Sequence, residues 1–162
     1  MQSQWVGCAT ENFRKERHGH EPKAIVIHII VGSLEAADLT FRDPRSSVSA
    51  HYGVGKSGRI HQFVNEADTA FHAGTVVRPT WKLIDPQVNP NYYTIGIEHE
   101  GQPQDVWPDE QYATSAALVK EIAARWKIPL DRDHVIMHRE IRASKTCPGA
   151  ADIDRILREA AA

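Results

Sequence analysis

The run Ala24-Ile25-Val26-Ile27-His28-Ile29-Ile30 is apolar on both alternations and is interrupted only by His28. A strand that is hydrophobic on both faces belongs inside a sheet that is covered above and below. After it, Ser33 precedes a segment that predicts a short helix over 33–40 with Ser33 as its cap. The turn-rich run Asp43-Pro44-Arg45-Ser46-Ser47 ends that helix. Segments 50–55 and 59–64 flank Lys56-Ser57-Gly58, a short glycine-containing connection that predicts an antiparallel hairpin. Residues 74–92 hold Pro79, Pro86 and Pro90 with few periodic apolar positions, which predicts a long surface loop of the kind that shapes binding sites. A strand resumes over 94–100, and its alternation sets Gly96, Glu98 and Glu100 on one face and Ile95, Ile97 and His99 on the other. Pro108 opens a helix reaching about Lys127, with Asp109 and Glu110 in the first turn, where the helix dipole favours negative charge. Along it Tyr112, Ala116, Val119, Ile122, Ala123 and Trp126 recur at three- and four-residue spacing and mark a packing face. A short strand at 134–138 and a helix at 152–161, with Ile153, Ile156 and Leu157 inward, complete the pattern. The expected architecture is one α/β domain over 1–162, a central mixed β-sheet flanked by α-helices, with no internal repeat.

Composition narrows the function classes. A chain of 162 residues closes one hydrophobic core without disulfide staples, and 41% hydrophobic with 25% charged residues excludes a disordered or fibrous protein. The 19 basic and 21 acidic side chains give a net charge of −2 with no dense basic block, so nucleic acid is not an expected partner. No apolar stretch approaches the roughly 20 residues of a membrane helix, and the polar start lacks the apolar segment of a signal peptide. Cys8 and Cys147 are too few for a disulfide framework and leave room for at most one bridge; Cys8 reads as an inert thiol.

Candidate chemistry gathers at three residues: His28 inside a buried strand, His138 ending another, and Cys147 in Ser144-Lys145-Thr146-Cys147-Pro148-Gly149. Singly, a core histidine or a lone cysteine is a packing residue more often than a ligand. Together, two imidazoles and one thiolate meet the requirement of a catalytic zinc site, which takes three protein ligands and leaves a fourth position open. One thiolate leaves such a site with net positive charge, enough to lower the pKa of water toward about 7 and to polarise a carbonyl. The same residues also permit a cysteine hydrolase, with Cys147 as nucleophile and His138 as base.

Seven pieces occur in order: Val26-Ile27-His28, Val48-Ser49-Ala50-His51-Tyr52, Gly58-Arg59-Ile60, Ala70-Phe71-His72-Ala73-Gly74, the stretch 91–101, His138-Arg139-Glu140 and Lys145-Thr146-Cys147-Pro148-Gly149. Over 24–157 the chain thereby resembles the type 2 zinc-dependent N-acetylmuramoyl-L-alanine amidases, a family that includes phage lysozyme-like amidases and peptidoglycan recognition proteins. The resemblance implies Zn2+ held by His28, His138 and Cys147 at one edge of the sheet. It gives Lys145 the oxyanion of the tetrahedral intermediate, and spacing agrees, since in an extended segment Lys145 and Cys147 point the same way. It makes Glu98 the general base, although strand parity alone does not separate Glu98 from Glu100. It places His72 in the substrate groove and leaves His51 a structural residue. Two departures stand out. Ala50 occupies a position where other lineages carry a tyrosine base, which leaves the task to Glu98. Ile29 and Ile30 replace the histidine and threonine common after the first ligand, so the wall of the site should be unusually apolar.

The implied reaction is hydrolysis of the amide between the lactyl group of N-acetylmuramic acid and the L-alanine of the peptidoglycan stem, without a covalent enzyme intermediate. With neither a signal peptide nor a separate wall-binding domain, the chain looks like a monomeric phage or prophage endolysin, held in the host cytoplasm until release to the cell wall. A cytoplasmic amidase that recycles soluble anhydro-muropeptides is the competing role. A non-catalytic recognition module would be marked by loss of the cysteine, which is retained here.

Overall fold

The computed structural model describes residues 2–162, and the doubly apolar run forms an interior strand as predicted. In chain order the elements are β1 (Gln4–Trp5), β2 (Phe13–Arg14), β3 (Ala24–Ile29), α1 (Leu34–Arg42), β4 (Tyr52–Val54), β5 (Ile60–Gln62) and β6 (Thr69–Ala70). There follow β7 (Thr94–His99), α2 (Asp109–Trp126), β8 (Val135–Met137), α3 (His138–Ile141) and α4 (Ile153–Ala161). Six strands make a mixed sheet in the order β1-β5-β4-β7-β3-β8, while β2 and β6 pair separately. Strands β4, β7, β3 and β8 run parallel to one another, and β4 with β5 forms the predicted antiparallel hairpin.

Parity on β3 divides the core. Ile25, Ile27 and Ile29 join Ile95, Ile97, Val119, Ile122 and Ile156 in one apolar layer beneath α2 and α4. Ala24 and Val26 face the other way, toward Ala73, Trp81, Tyr93, Ile136 and Ile141. His28 has the parity of Ala24 and Val26, so the strand delivers it to the loop-covered side. A third cluster, including Phe41, Ala50 and Phe63, seats α1 over the β4–β5 half of the sheet. Among the described residues no helix is long and apolar enough to cross a membrane, and Cys8 and Cys147 are both free thiols.

The helix ends follow the chemistry of their residues. Ser33 caps α1 by accepting from the Ala36 N–H, and Asp152 caps α4 by accepting from the Arg155 N–H. Lys127 closes α2 in the left-handed conformation with its N–H on the Ala123 carbonyl. Two features escape periodicity. Residue His138 does not end a strand but begins the single turn α3, which holds it just past the end of β8. The segment before β3 is integral to the domain: β1 extends the sheet, β2 pairs with β6, and Arg17, 4% exposed, donates to the carbonyls of Glu66, Asn91, Tyr92 and Thr94. Two-residue strands carry no hydrophobic period, so the sequence gives no signal for them. The 74–92 loop is irregular apart from a single 3-10 turn at Pro90–Tyr92, and Trp81 anchors it, 3% exposed and donating its indole N–H to the Asp133 carbonyl.

Candidate metal centre and active site

Three chain segments converge at the ends of β3, β7 and β8. In the parallel register of β3 with β7, His28 lies directly opposite Glu98, so both side chains emerge on the same face. His138 arrives from the turn after β8, and Cys147 from the loop before α4. The donor atoms of His28, His138 and Cys147 lie within 4.8 Å of one another. All three predicted ligands are thus brought together next to β8, the edge strand of the sheet.

Hydrogen bonds aim the donors. His138 Nε2 lies 2.9 Å from the Ala73 carbonyl, an acceptor only, so Nε2 carries the proton and Nδ1 keeps the lone pair. The Ile29 N–H donates to Cys147 Sγ at 3.1 Å. Burial, reinforced by His138 and His72, holds His28 well below its ordinary pKa, which keeps it in the neutral form a metal requires. Burial and then Glu98 push the Cys147 thiol above its ordinary range. A thiolate there needs a cation beside it, and the nitrogen, nitrogen and sulfur set is the chemistry that zinc takes. The donor set therefore fits the ion.

Glu98 is separated from Glu100 by its surroundings. Its Oε1 lies 3.9 Å from His28 Nδ1, its side chain is 16% exposed, and its Oε2 has no hydrogen-bond partner. Burial raises its pKa to about 7, with Lys145 pulling the other way. Glu100 is turned elsewhere and accepts from the Lys56 N–H at 2.8 Å. Lys145 is exposed on the rim and lines the clefts on both sides of the cluster.

Those clefts share Val48, Phe71, His72, His138 and Lys145 and so form one trough through the site. One arm, about 400 Å³, has the apolar wall expected from the sequence, built from Ile29, Ile30, Val31, Phe41 and Val48. The other, about 760 Å³, runs along the 74–92 loop and carries Arg14, Arg142 and Lys145 with no Asp or Glu in its lining. Arg14 and Arg142 were not marked by any sequence pattern: the first lies in a two-residue strand, the second just after α3.

The remaining histidines differ in their surroundings. His51 is buried, with Nδ1 accepting from the Gly96 N–H and Nε2 facing the Asp68 carbonyl. His99 stacks on Trp107 and bridges the His28 carbonyl to Ser115 on the helix side. His72 lines the trough, but its ring nitrogens lie 3.0 Å from His28 Nε2 and 3.1 Å from Thr94 Oγ1. Burial, followed by His138 and Arg17, lowers its pKa to about 3.

The model of the N-acetylmuramoyl-L-alanine amidase family matches residues 18–150. N-acetylmuramoyl-L-alanine amidase A of Achromobacter lyticus is 33% identical over 144 residues, which cover 82% of this chain and 72% of that protein. The 1,6-anhydro-N-acetylmuramyl-L-alanine amidase AmpD of Haemophilus influenzae is 32% identical over 94 residues, 58% of this chain and 47% of that protein. A solved AmpD structure superposes with a TM-score of 0.79 at 24% identity over 97% of this chain and 93% of its own. A mutant endolysin from Bacillus subtilis superposes with a TM-score of 0.74 at 20% identity over 99% of both chains. The chain belongs to the N-acetylmuramoyl-L-alanine amidase family and is an amidase.

Proposed function

We propose that the chain is a zinc-dependent hydrolase of the lactyl–L-alanine amide of peptidoglycan, with His28, His138 and Cys147 as ligands, Glu98 as general base and Lys145 as oxyanion donor. The observation that carries this is the convergence of two neutral imidazoles and one thiol beside a carboxylate whose pKa is raised to about 7. A zinc ion held there supplies Lewis acidity, making water nucleophilic near neutral pH and polarising the scissile carbonyl.

The protein's own groups do the rest. Glu98, with Oε2 unpartnered, accepts a proton from the attacking water as its oxygen bonds to the carbonyl carbon. The Lys145 ammonium faces the oxygen on which negative charge collects. As the carbon–nitrogen bond breaks, Glu98 returns the proton to the leaving amine of L-alanine, which balances the hydrolysis. A cysteine hydrolase is disfavoured, because the Cys147 thiol is pushed up rather than down, the reverse of an activated nucleophile.

The trough orders the substrate. Its apolar arm suits the largely neutral muramyl sugar, and its cationic arm suits the carboxylates of the stem peptide. Likeness to endolysin folds supports a role in lysing the intact wall, whereas likeness to AmpD supports recycling of soluble anhydro-muropeptides. We take wall lysis as the role.

The test is mass spectrometry of purified sacculi and of soluble anhydro-muropeptides after incubation, with chelator and then with zinc restored. Intact stem peptides with a new alanine amino terminus, lost on chelation and regained with zinc, are expected. Cleavage of anhydro-muropeptides alone would assign recycling. Zinc-loaded protein that binds but does not cleave either substrate would overturn the catalytic roles.

A further inference from the structure

We infer that His72 and Thr94 are positioning residues for the metal: a directed chain of hydrogen bonds holds His28 in the tautomer whose Nδ1 lone pair faces the donor cluster. This rests on the zinc amidase reading above and adds residues outside the ligand set.

The direction of the chain follows from proton counting. Thr94 has one hydroxyl proton and donates it to the Pro90 carbonyl at 2.7 Å. Its oxygen can then only accept from His72, so His72 Nε2, 3.1 Å away, carries a proton. A neutral imidazole has one N–H, so His72 Nδ1 is a bare lone pair. His28 Nε2 lies 3.0 Å from that lone pair and must donate to it. The remaining lone pair of His28 is therefore on Nδ1, the atom 3.9 Å from Glu98 Oε1. In the opposite tautomer two lone pairs would face each other across the His28–His72 contact.

The surroundings hold this relay in place. Thr94 is fully buried, so water does not compete for its hydroxyl. The His72 ring lies against the bare backbone of Gly96, where an added Cβ would come within 2.5 Å of it. Asn91 Oδ1 accepts from the backbone N–H groups of both His72 and Ala73, at 3.1 and 2.8 Å. The Ala73 carbonyl in turn fixes the tautomer of His138. Two adjacent residues thus orient both imidazole ligands, one through its side chain and one through its backbone. His72 lines the trough as well, but both its ring nitrogens are engaged within the protein, by His28 and by Thr94. Partners of this kind are worth about 10- to 100-fold in metal affinity.

Long-range 1H–15N NMR of histidine-labelled, zinc-free wild-type protein tests the tautomer without any substitution; His28 protonated at Nε2 is expected. Thr94→Val removes the hydroxyl at nearly constant volume and Thr94→Ser restores it. Competition against a chromophoric chelator should show zinc bound about 10- to 100-fold more weakly by Thr94→Val and His72→Ala, with Thr94→Ser near wild type. At saturating zinc the kcat and KM of Thr94→Val should both match the wild-type values. A His28 protonated at Nδ1, undiminished zinc affinity in Thr94→Val, or a raised KM that zinc does not relieve would each overturn the relay while leaving the amidase intact. Wild-type protein that takes up no zinc would overturn the zinc reading itself, and the relay with it.

Discussion

The two faces of β3 and β7 are built from the same strands and differ in what they do with polarity. On the helix side, Ile25, Ile27, Ile95 and Ile97 pack against α2 and α4, and the polar intruder His99 has both ring nitrogens engaged. On the loop side, His28 and Glu98 stand on adjacent strands at the same level, and Glu98 Oε2 has no partner. The helix face contributes burial, of which each fully buried aliphatic side chain supplies roughly 1.5–3 kcal/mol. The loop face gives up part of that to hold groups ready for a proton, a metal and a substrate. Period-2 alternation keeps the two tasks apart, because neighbouring residues of one strand cannot share a face.

The largest effect that would test this division is on activity. Glu98→Gln should lower kcat by about 10²- to 10⁴-fold with zinc still bound, measured as stem-peptide release alongside metal analysis. A fall below threefold would remove Glu98 from the mechanism and make the loop face no more chemical than the helix face.

Next in size is the reciprocal change. Ile122→Ala, at a fully buried position on α2, should cost about 2–5 kcal/mol of stability in urea unfolding and leave zinc affinity unchanged. Loss of zinc affinity on the scale of the lost stability would show that the faces are not independent.

The third prediction concerns pH. The folded-state pKa of Glu98 is raised from 4.5 to about 7, so the proton is held more tightly in the fold than in the unfolded chain. Below pH 4.5 the group is protonated in both states and costs nothing; the penalty grows between 4.5 and 7 and is complete above, at about 3 kcal/mol. Zinc-free Glu98→Gln should therefore be more stable than wild type at pH 8 and equal to it at pH 4, as read by thermal melts. Activity needs the carboxylate, so it should fall as pH drops through 7, or somewhat below once a cation bound beside Glu98 favours its ionisation. Equal melting curves at pH 8 would show that Glu98 is not strained by burial.

The smallest expected effect lies in the cationic arm. Arg142→Ala should raise KM by about two- to fivefold for stem peptides with free carboxylates and leave their amidated forms unaffected. An equal change for both would mean that Arg142 shapes the groove without reading charge.

Much of this protein follows from its sequence alone. The doubly apolar run at 24–30, the capping residue Ser33, the helical stripe from Tyr112 to Trp126 and the hairpin about Lys56-Ser57-Gly58 are local patterns, and local physics decides them. The candidate ligands His28, His138 and Cys147 could be named from the sequence because their residue types suit zinc and the order of the surrounding motifs resembles that of the amidases. Tertiary structure decided the rest. Parity left Glu98 and Glu100 equal; only the register of β7 against β3 puts Glu98 opposite His28 while Glu100 turns to Lys56. No pattern marked residues 4–17, since their two-residue strands and the buried Arg17 depend on partners 34 to 77 positions away in the chain. The direction of the His28–His72–Thr94 chain was equally invisible, because a tautomer is set by which acceptor lies within hydrogen-bonding distance. Composition and periodicity act over a few residues; orientation at the site depends on atoms that only folding brings within 3 Å of one another.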